Sequence, residues 1–301
     1  MMSAGPIIFD RALLRDRRRR AAAQGPATFL LDHVAHDLGD RLSGVLRHFD
    51  VAVDLGTPGD QVRSAVIGSG KAGTLIAADS LADKLPFNIA LKIAADEEAL
   101  PFCDASLDLV VSALALHMVN DLPGTLVQIR RALKPDGLFL AALLGGDTLT
   151  ELRQAFAEAE TETEGGISPR VAPFPDLRDL GALLQRAGFA LPVTDVERLT
   201  VRYASVFALL RDLRRMGATN ALAERRRVPL RRKTLMRMAE IYAERFADGD
   251  GRLRATFEII WLSGWAPDES QQKPLAPGSA KLRLADALGT KEIPAGEKAG
   301  R

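Results

Sequence analysis

Val51-Ala-Val-Asp-Leu-Gly56 is an apolar run that ends in an acid and a glycine. A buried parallel strand reads this way when the chain must turn sharply at its carboxyl end and present backbone there. Further apolar runs follow at 74–78, 89–94, 108–113 and 137–144, with helical patterns between them. Such alternation predicts a parallel, doubly wound sheet with right-handed crossovers. Helical stretches at 148–162 and 176–187 precede a strand at 193–203. Two more helices, at about 205–217 and 231–247, precede a last strand at 256–265. The expected fold is a Rossmann-like α/β domain over 29–266, with a seven-stranded mixed sheet, helices on both faces and the last two strands antiparallel.

The flanks differ from this core. Residues 1–28 form an arm with Arg11, Arg15 and the run Arg17 to Arg20. Such a run reads as a solvated face, as a lid, or as a contact with an acidic partner or membrane surface. From Phe29 to Phe49 the residues Leu30, Leu31, Val34, Leu38, Leu42, Val45, Leu46 and Phe49 recur at helical spacing, predicting an amphipathic helix against the sheet. His33, His36 and His48 on or near it lack the carboxylate or third ligand a metal site needs, so no metal is expected. Residues 267–301, with Pro267, Pro274 and Pro277, read as a loosely ordered tail. A second basic cluster, Arg225 to Lys233, divides the helical pair.

Forty Lys and Arg against 39 Asp and Glu leave a net charge of +1, and aromatic residues make up 5%. Neither a basic field nor base-stacking platforms point to nucleic acid. The single Cys103 excludes an internal disulfide and a cysteine-based metal cluster. No apolar run approaches the roughly 20 residues that span a bilayer. A soluble, cytoplasmic protein is expected, peripheral to the inner membrane if the arginines meet lipid.

Two cofactors compete for one segment. Gly68-Ser-Gly-Lys-Ala-Gly73 is a formal G-x-G-x-x-G, with a strand at Asn88–Ile93 and Asp96 where an acid binds the ribose of NAD. In the other parsing Val51 opens the first strand, Thr74–Asp79 is the second, and the Gly68–Gly73 loop is a tight helix-to-strand connection. Asp54, Asp79 and Asp96 then stand at three adjacent strand ends. A nucleoside carrying a sulfonium and an amino group wants carboxylates there, whereas a pyrophosphate wants a bare helix amino terminus. The acids favour S-adenosylmethionine, and Thr74–Ala78 as strand rather than helix is the discriminating expectation.

Asp96-Glu-Glu-Ala-Leu-Pro-Phe102, Ser106-Leu-Asp-Leu-Val-Val-Ser112, Leu116-His-Met-Val-Asn-Asp-Leu-Pro123 and Leu133-Lys-Pro-Asp-Gly-Leu-Phe139 follow in order. The string resembles the class I S-adenosylmethionine-dependent methyltransferases. Gly145 to Arg153, Gly165-Gly-Ile-Ser-Pro-Arg170, Pro173-Phe-Pro, Asp212 to Asn220 and Gly278-Ser-Ala are similar to one branch. It holds the bacterial relatives of a methyltransferase-like assembly factor of respiratory complex I. The resemblance runs from about Phe9 to Leu288. It implies an S-adenosylmethionine-binding fold that modifies a protein, by methylation or by hydroxylation of an arginine in a complex I iron–sulfur subunit. The alternatives are a small-molecule O- or C-methyltransferase and a non-catalytic assembly chaperone.

On this reading Asp54, Gly56, Gly59, Asp79, Asp96, Glu97 and Ser112 bind the cofactor, with Leu100 and Phe102 covering the adenine. His117, after the fourth strand, is the candidate catalytic base. Asp121 caps the helix that Pro123 opens. Asp147, Glu151 and Glu158 begin a helix, where the macrodipole favours them, and could also receive a guanidinium. The loop Gly56-Thr-Pro-Gly-Asp60 departs from Gly-x-Gly-x-Gly: Pro58 removes a backbone donor and Asp60 adds an anion.

Overall fold

The computed structural model describes residues 6–81, 91–272, 279 and 282–291. Residues 89 and 90 of the third expected strand, and Gly278 and Ala280, lie outside them. The chain divides into two units, Met1–Pro267 and Asp268–Arg301. In the second, Leu284–Leu288 forms one short helix.

The first unit opens with α1 (Arg11–Ala23) and α2 (Phe29–Ser43). Next come β1 (Phe49–Leu55), α3 (Gln61–Gly68), β2 (Ala72–Asp79), β3 (Leu91–Ala94) and β4 (Leu107–Ala113). A 3-10 turn at Leu116–Met118 leads to α4 (Leu122–Ala132), β5 (Leu133–Leu144) and α5 (Thr150–Glu164). The rest is α6 (Leu177–Arg186), β6 (Ala190–Tyr203), α7 (Val206–Arg215), α8 (Arg232–Phe246) and β7 (Leu253–Trp265). The strands form one sheet in the order β3-β2-β1-β4-β5-β7-β6.

The expected seven-stranded mixed sheet is present, with one refinement. β6 and β7 pair antiparallel, but only β7 is reversed: it runs antiparallel to β5 as well as to β6. β6 therefore points the same way as the five parallel strands. Thr74–Ala78 lies within β2, paired in parallel with β1 from Val51↔Thr74 to Leu55↔Ala78, which removes the dinucleotide parsing. The glycines of the formal fingerprint confirm this. Gly70 takes a left-handed φ of 65° just past α3, as a helix-ending turn requires. Gly73 faces the Asp50 carbonyl of β1 so closely that a Cβ would stand 2.9 Å from the oxygen.

Sheet alternation sorts the core into two layers. Leu138, Leu140, Ala142 and Leu144 of β5 face α2, α3, α5, α7 and α8, while Phe139, Ala141 and Leu143 face α4 and α6. One helix expectation fails at its end. The apolar periodicity continues to Phe49, but α2 stops at Ser43, and Gly44 caps it by bonding back to the Asp40 carbonyl. Phe49 begins β1 opposite Ala72 instead, and Leu46 is left 99% exposed. Ladder hydrogen bonds at the sheet outweigh a continued amphipathic stripe. No helix among the described residues is long and apolar enough to cross a membrane.

Candidate functional site

The strand order reverses between β1 and β4, and ligands of open α/β sheets bind at the carboxyl ends beside such a reversal. There β1 ends in Asp54, Leu55 and Gly56, and β2 ends in Asp79. β3 leads into Asp96 and Glu97, and β4 into Leu114, whose φ of 52° is left-handed. Parallel register makes neighbours of these ends, so Asp54 lies opposite Ala77 and Asp79 opposite Ala94.

Asp54, Asp79 and Glu97 are buried, and Asp96 is half-buried. Each meets at least one arginine, a pairing that sequence reading missed. Arg63, on the first turn of α3, donates to Asp54 Oδ2 at 2.5 Å and also to the Gly59 carbonyl. Arg18 of α1 donates to Asp79 Oδ2 at 2.7 Å and to the Gly56 carbonyl at 2.9 Å, and its guanidinium stands 3.6 Å from Glu97. Arg11 donates to Asp96 Oδ1 at 2.8 Å and to Glu97, while Arg15 reaches Asp96 at 3.4 Å.

These pairings set the protonation states. Burial raises the Asp54 carboxyl to about 6, with the Arg63 charge and the Thr57 hydroxyl opposing. Burial would raise Asp96 too, but the Glu98 N–H and the guanidiniums of Arg11 and Arg15 hold it below the usual carboxylate value. His117 is driven down to about 3 by burial and by the nearby Arg18 charge. It is therefore neutral at physiological pH and a weak base.

The loop at 56–60 adapts to its departure from the glycine pattern. Gly56 and Gly59 take φ values of 70° and 92°, which favour glycine. A Cβ on Gly56 would stand 2.6 Å from Glu97 Oε1, so this glycine admits the acid beneath the loop. The Ser112 hydroxyl is spent on the Leu55 carbonyl at 2.7 Å, and Thr57 Oγ1 accepts from the Ala113 N–H at 3.0 Å. Leu100 and Phe102 are partly buried against the α4–α6 layer of the core. Asp121 caps α4 by accepting from the Gly124 N–H, as expected.

His117 belongs to the 3-10 turn after β4, its ring edge-on to Phe174 at 5.5 Å. Asp147 precedes α5 and Glu151 lies in its first turn, whereas Glu158, expected to begin the helix, lies in its middle; all three have structural partners. Asp147 pairs with Arg198, Glu151 accepts from the Thr256 backbone and hydroxyl, and Glu158 pairs with Arg245. Among the described residues no three His, Cys, Asp or Glu side chains gather as metal ligands.

A methyltransferase cofactor brings an ammonium and ribose hydroxyls to the ends of β1 and β2, and the residues present fit it. Asp54 Oδ1, Arg11 Nε, Arg63 Nε and His117 Nδ1 are buried with no hydrogen-bond partner. Buried polar atoms without partners are rare, and each calls for an explanation. Asp54 offers an acceptor where the ammonium would arrive, and Asp79 a carboxylate where the ribose would.

Comparison with known proteins agrees. Residues 71–141 match the methyltransferase domain family. BH2331 of Bacillus halodurans C-125, proposed to be a methyltransferase, superposes with a TM-score of 0.52 at 15% identity, covering 78% of this chain and 99% of that one. That likeness is one of fold. The malonyl-[acyl-carrier protein] O-methyltransferase of Laribacter hongkongensis is 42% identical over 186 residues, 62% of this chain and 60% of its own length. The human mitochondrial arginine-hydroxylase NDUFAF5 is 40% identical over 287 residues, covering 93% of this chain and 83% of the human protein. The chain therefore belongs to the NDUFAF5 arginine-hydroxylase family, on the S-adenosylmethionine-binding class I methyltransferase fold.

Proposed function

We propose that the chain binds S-adenosylmethionine at the carboxyl ends of β1, β2 and β3 and modifies an arginine of a complex I iron–sulfur subunit during assembly. The single observation behind the protein substrate is identity with an arginine-hydroxylase over nearly the whole length of the chain. Asp54 would take the cofactor's ammonium, Asp79 the ribose hydroxyls, and Asp96 and Glu97 the side toward the adenine, with Gly56 and Gly59 turning the loop between them. When bound, the cofactor would supply an electrophilic methyl group for methylation, whereas hydroxylation would need an oxidant that the cofactor does not provide. The chain's own residues bind it, exclude water and orient the acceptor. Ser112 supports β1 rather than touching the ligand. His117, neutral and with Nδ1 unpartnered, serves as a hydrogen-bonding group at the acceptor end rather than as a store for a proton. The helical pair α7 and α8 forms the insertion, and the exposed Arg227, Arg232 and Lys233 of the second cluster are free to face an acidic partner or anionic lipid.

Partial identity with a carrier-protein O-methyltransferase supports a second reading, methyl transfer to a small acyl carboxylate. Deleting the gene and analysing the complex I iron–sulfur subunit by intact and peptide mass spectrometry separates the two. Loss of one oxygen's mass on an arginine supports hydroxylation, and loss of one methylene's mass supports methylation. An unmodified subunit in both strains, with complex I assembled normally, refutes the protein substrate and leaves the metabolite enzyme. Calorimetry tests the cofactor itself: S-adenosylhomocysteine should bind in the micromolar range, roughly −8 kcal/mol, and NADH should not.

A further inference from the structure

Three of the four acids assigned to the cofactor, Asp79, Asp96 and Glu97, are already occupied by α1. Arg11, Arg15 and Arg18 stand at positions i, i+4 and i+7, so one face of the helix carries all three. That face lies along the ends of β1, β2 and β3, and its guanidiniums reach Asp96, Glu97, Asp79 and the Gly56 carbonyl. The ion pairs are largely out of water, with Arg11 and Arg18 side chains 13% and 15% exposed over Glu97 at 2% and Asp79 at 4%.

Apolar packing contributes little to this contact, since Leu14 and Ala21 are the buried residues of the 13 in α1. The backbone is nonetheless held at both ends. Asn120 clasps Ile8 and Phe9, and Phe9 bridges to Leu222. At the other end Arg215 donates to the Gly25 carbonyl, and the Ala27 N–H to that of Arg215. The helix backbone is thus anchored independently of the arginine side chains.

We propose that Arg18 and Arg11 are internal ligands of the cofactor carboxylates, and that S-adenosylmethionine must displace their guanidiniums to bind. The inference rests on the assignment of Asp79, Asp96 and Glu97 to the cofactor. Arg18 holds Asp79 Oδ2, the acceptor assigned to the ribose, and the Gly56 carbonyl of the loop beside it, so guanidinium and ribose compete for the same carboxylate. α1 thereby sets the threshold concentration at which the cofactor enters, and a partner or anionic surface that draws the arginines away would lower it.

The test uses the full chain and S-adenosylhomocysteine as probe, with binding read by calorimetry and stability by thermal unfolding. Arg18→Ala should bind the probe about tenfold more tightly than the wild type, which corresponds to ~1.4 kcal/mol. The Tm deficit of Arg18→Ala should shrink when the probe saturates both proteins. Arg18→Gln, which keeps a donor without the charge, should fall between the two and serves if the alanine variant fails to fold. Unchanged or weaker binding by folded Arg18 variants overturns the proposal and leaves the cofactor assignment standing. Failure of the wild type and every folded variant to bind overturns the cofactor assignment, and the proposal with it.

Discussion

Replacing Arg63 by leucine isolates the most strained electrostatic feature of the site. Asp54 and Arg63 are both buried, with side-chain exposures of 0% and 3%, and meet at 2.5 Å. Even with its partner, Asp54 is raised by burial from 3.8 to about 6, so keeping it ionised at neutral pH costs the fold roughly 3 kcal/mol. Deleting Arg63 removes the largest opposing influence and frees the Gly59 carbonyl. Breaking a buried pair from one side typically costs about 3–5 kcal/mol. Arg63→Leu should lose that much at pH 7.5 by urea denaturation, and Asp54→Asn in the same chain should restore a large part of it. The sign of the pH dependence follows from the raised carboxyl. The folded state takes up a proton at higher pH than the unfolded chain, so this group makes the protein more stable as pH falls from about 6 toward 3.8. Without Arg63 that window widens upward, and the variant should recover stability on going from pH 7.5 to 5.5. A loss independent of pH, or a double variant no more stable than Arg63→Leu, would refute the account.

Two further outcomes follow from the geometry. Gly73→Ala should cost on the order of 1–3 kcal/mol because its Cβ meets the Asp50 carbonyl of β1 at 2.9 Å, whereas Gly68→Ala, with open space around it, should be neutral or stabilising by up to ~1 kcal/mol. Equal effects in urea denaturation would contradict the assignment of 68–73 to a helix-to-strand turn. The His117 imidazole, held near 3 when folded against 6.5 when unfolded, makes the fold lose stability as pH drops below 6.5, the opposite slope to Asp54. His117→Phe should therefore gain about 2–3 kcal/mol relative to the wild type between pH 6.5 and 4.5, and a ring that titrates above pH 5 by NMR would sink this reading.

Much of the molecule was legible because local pattern and global topology coincide. β4 and the carboxyl-terminal parts of β1 and β5 are buried on both faces, and such strands read as continuous apolar runs wherever they occur. The acids at their ends were legible for the same reason, since a carboxylate at the end of an apolar run has few structural uses. Asp121 with Pro123 announced the start of α4 through capping chemistry alone. The end of α2 was not legible. Its apolar period runs on through Val45, Leu46 and Phe49, and only the partner strand β2 decides that Phe49 belongs to the sheet.

Sequence alone therefore determined the α/β class, the strand that carries the Val51 run, and the carboxylates at the ends of β1, β2 and β3, because each depends on residues near one another in the chain. Tertiary structure decided what those carboxylates touch. Arg18 meets Asp79 across 61 positions and Arg11 meets Glu97 across 86, and no periodicity fixes a pairing over such separations. The basic run of α1 reads equally as a solvated face, a lid or a docking surface until the helix is placed. Whether an arginine is solvated or buried against an acid depends on where its helix packs, and packing is a property of the whole fold.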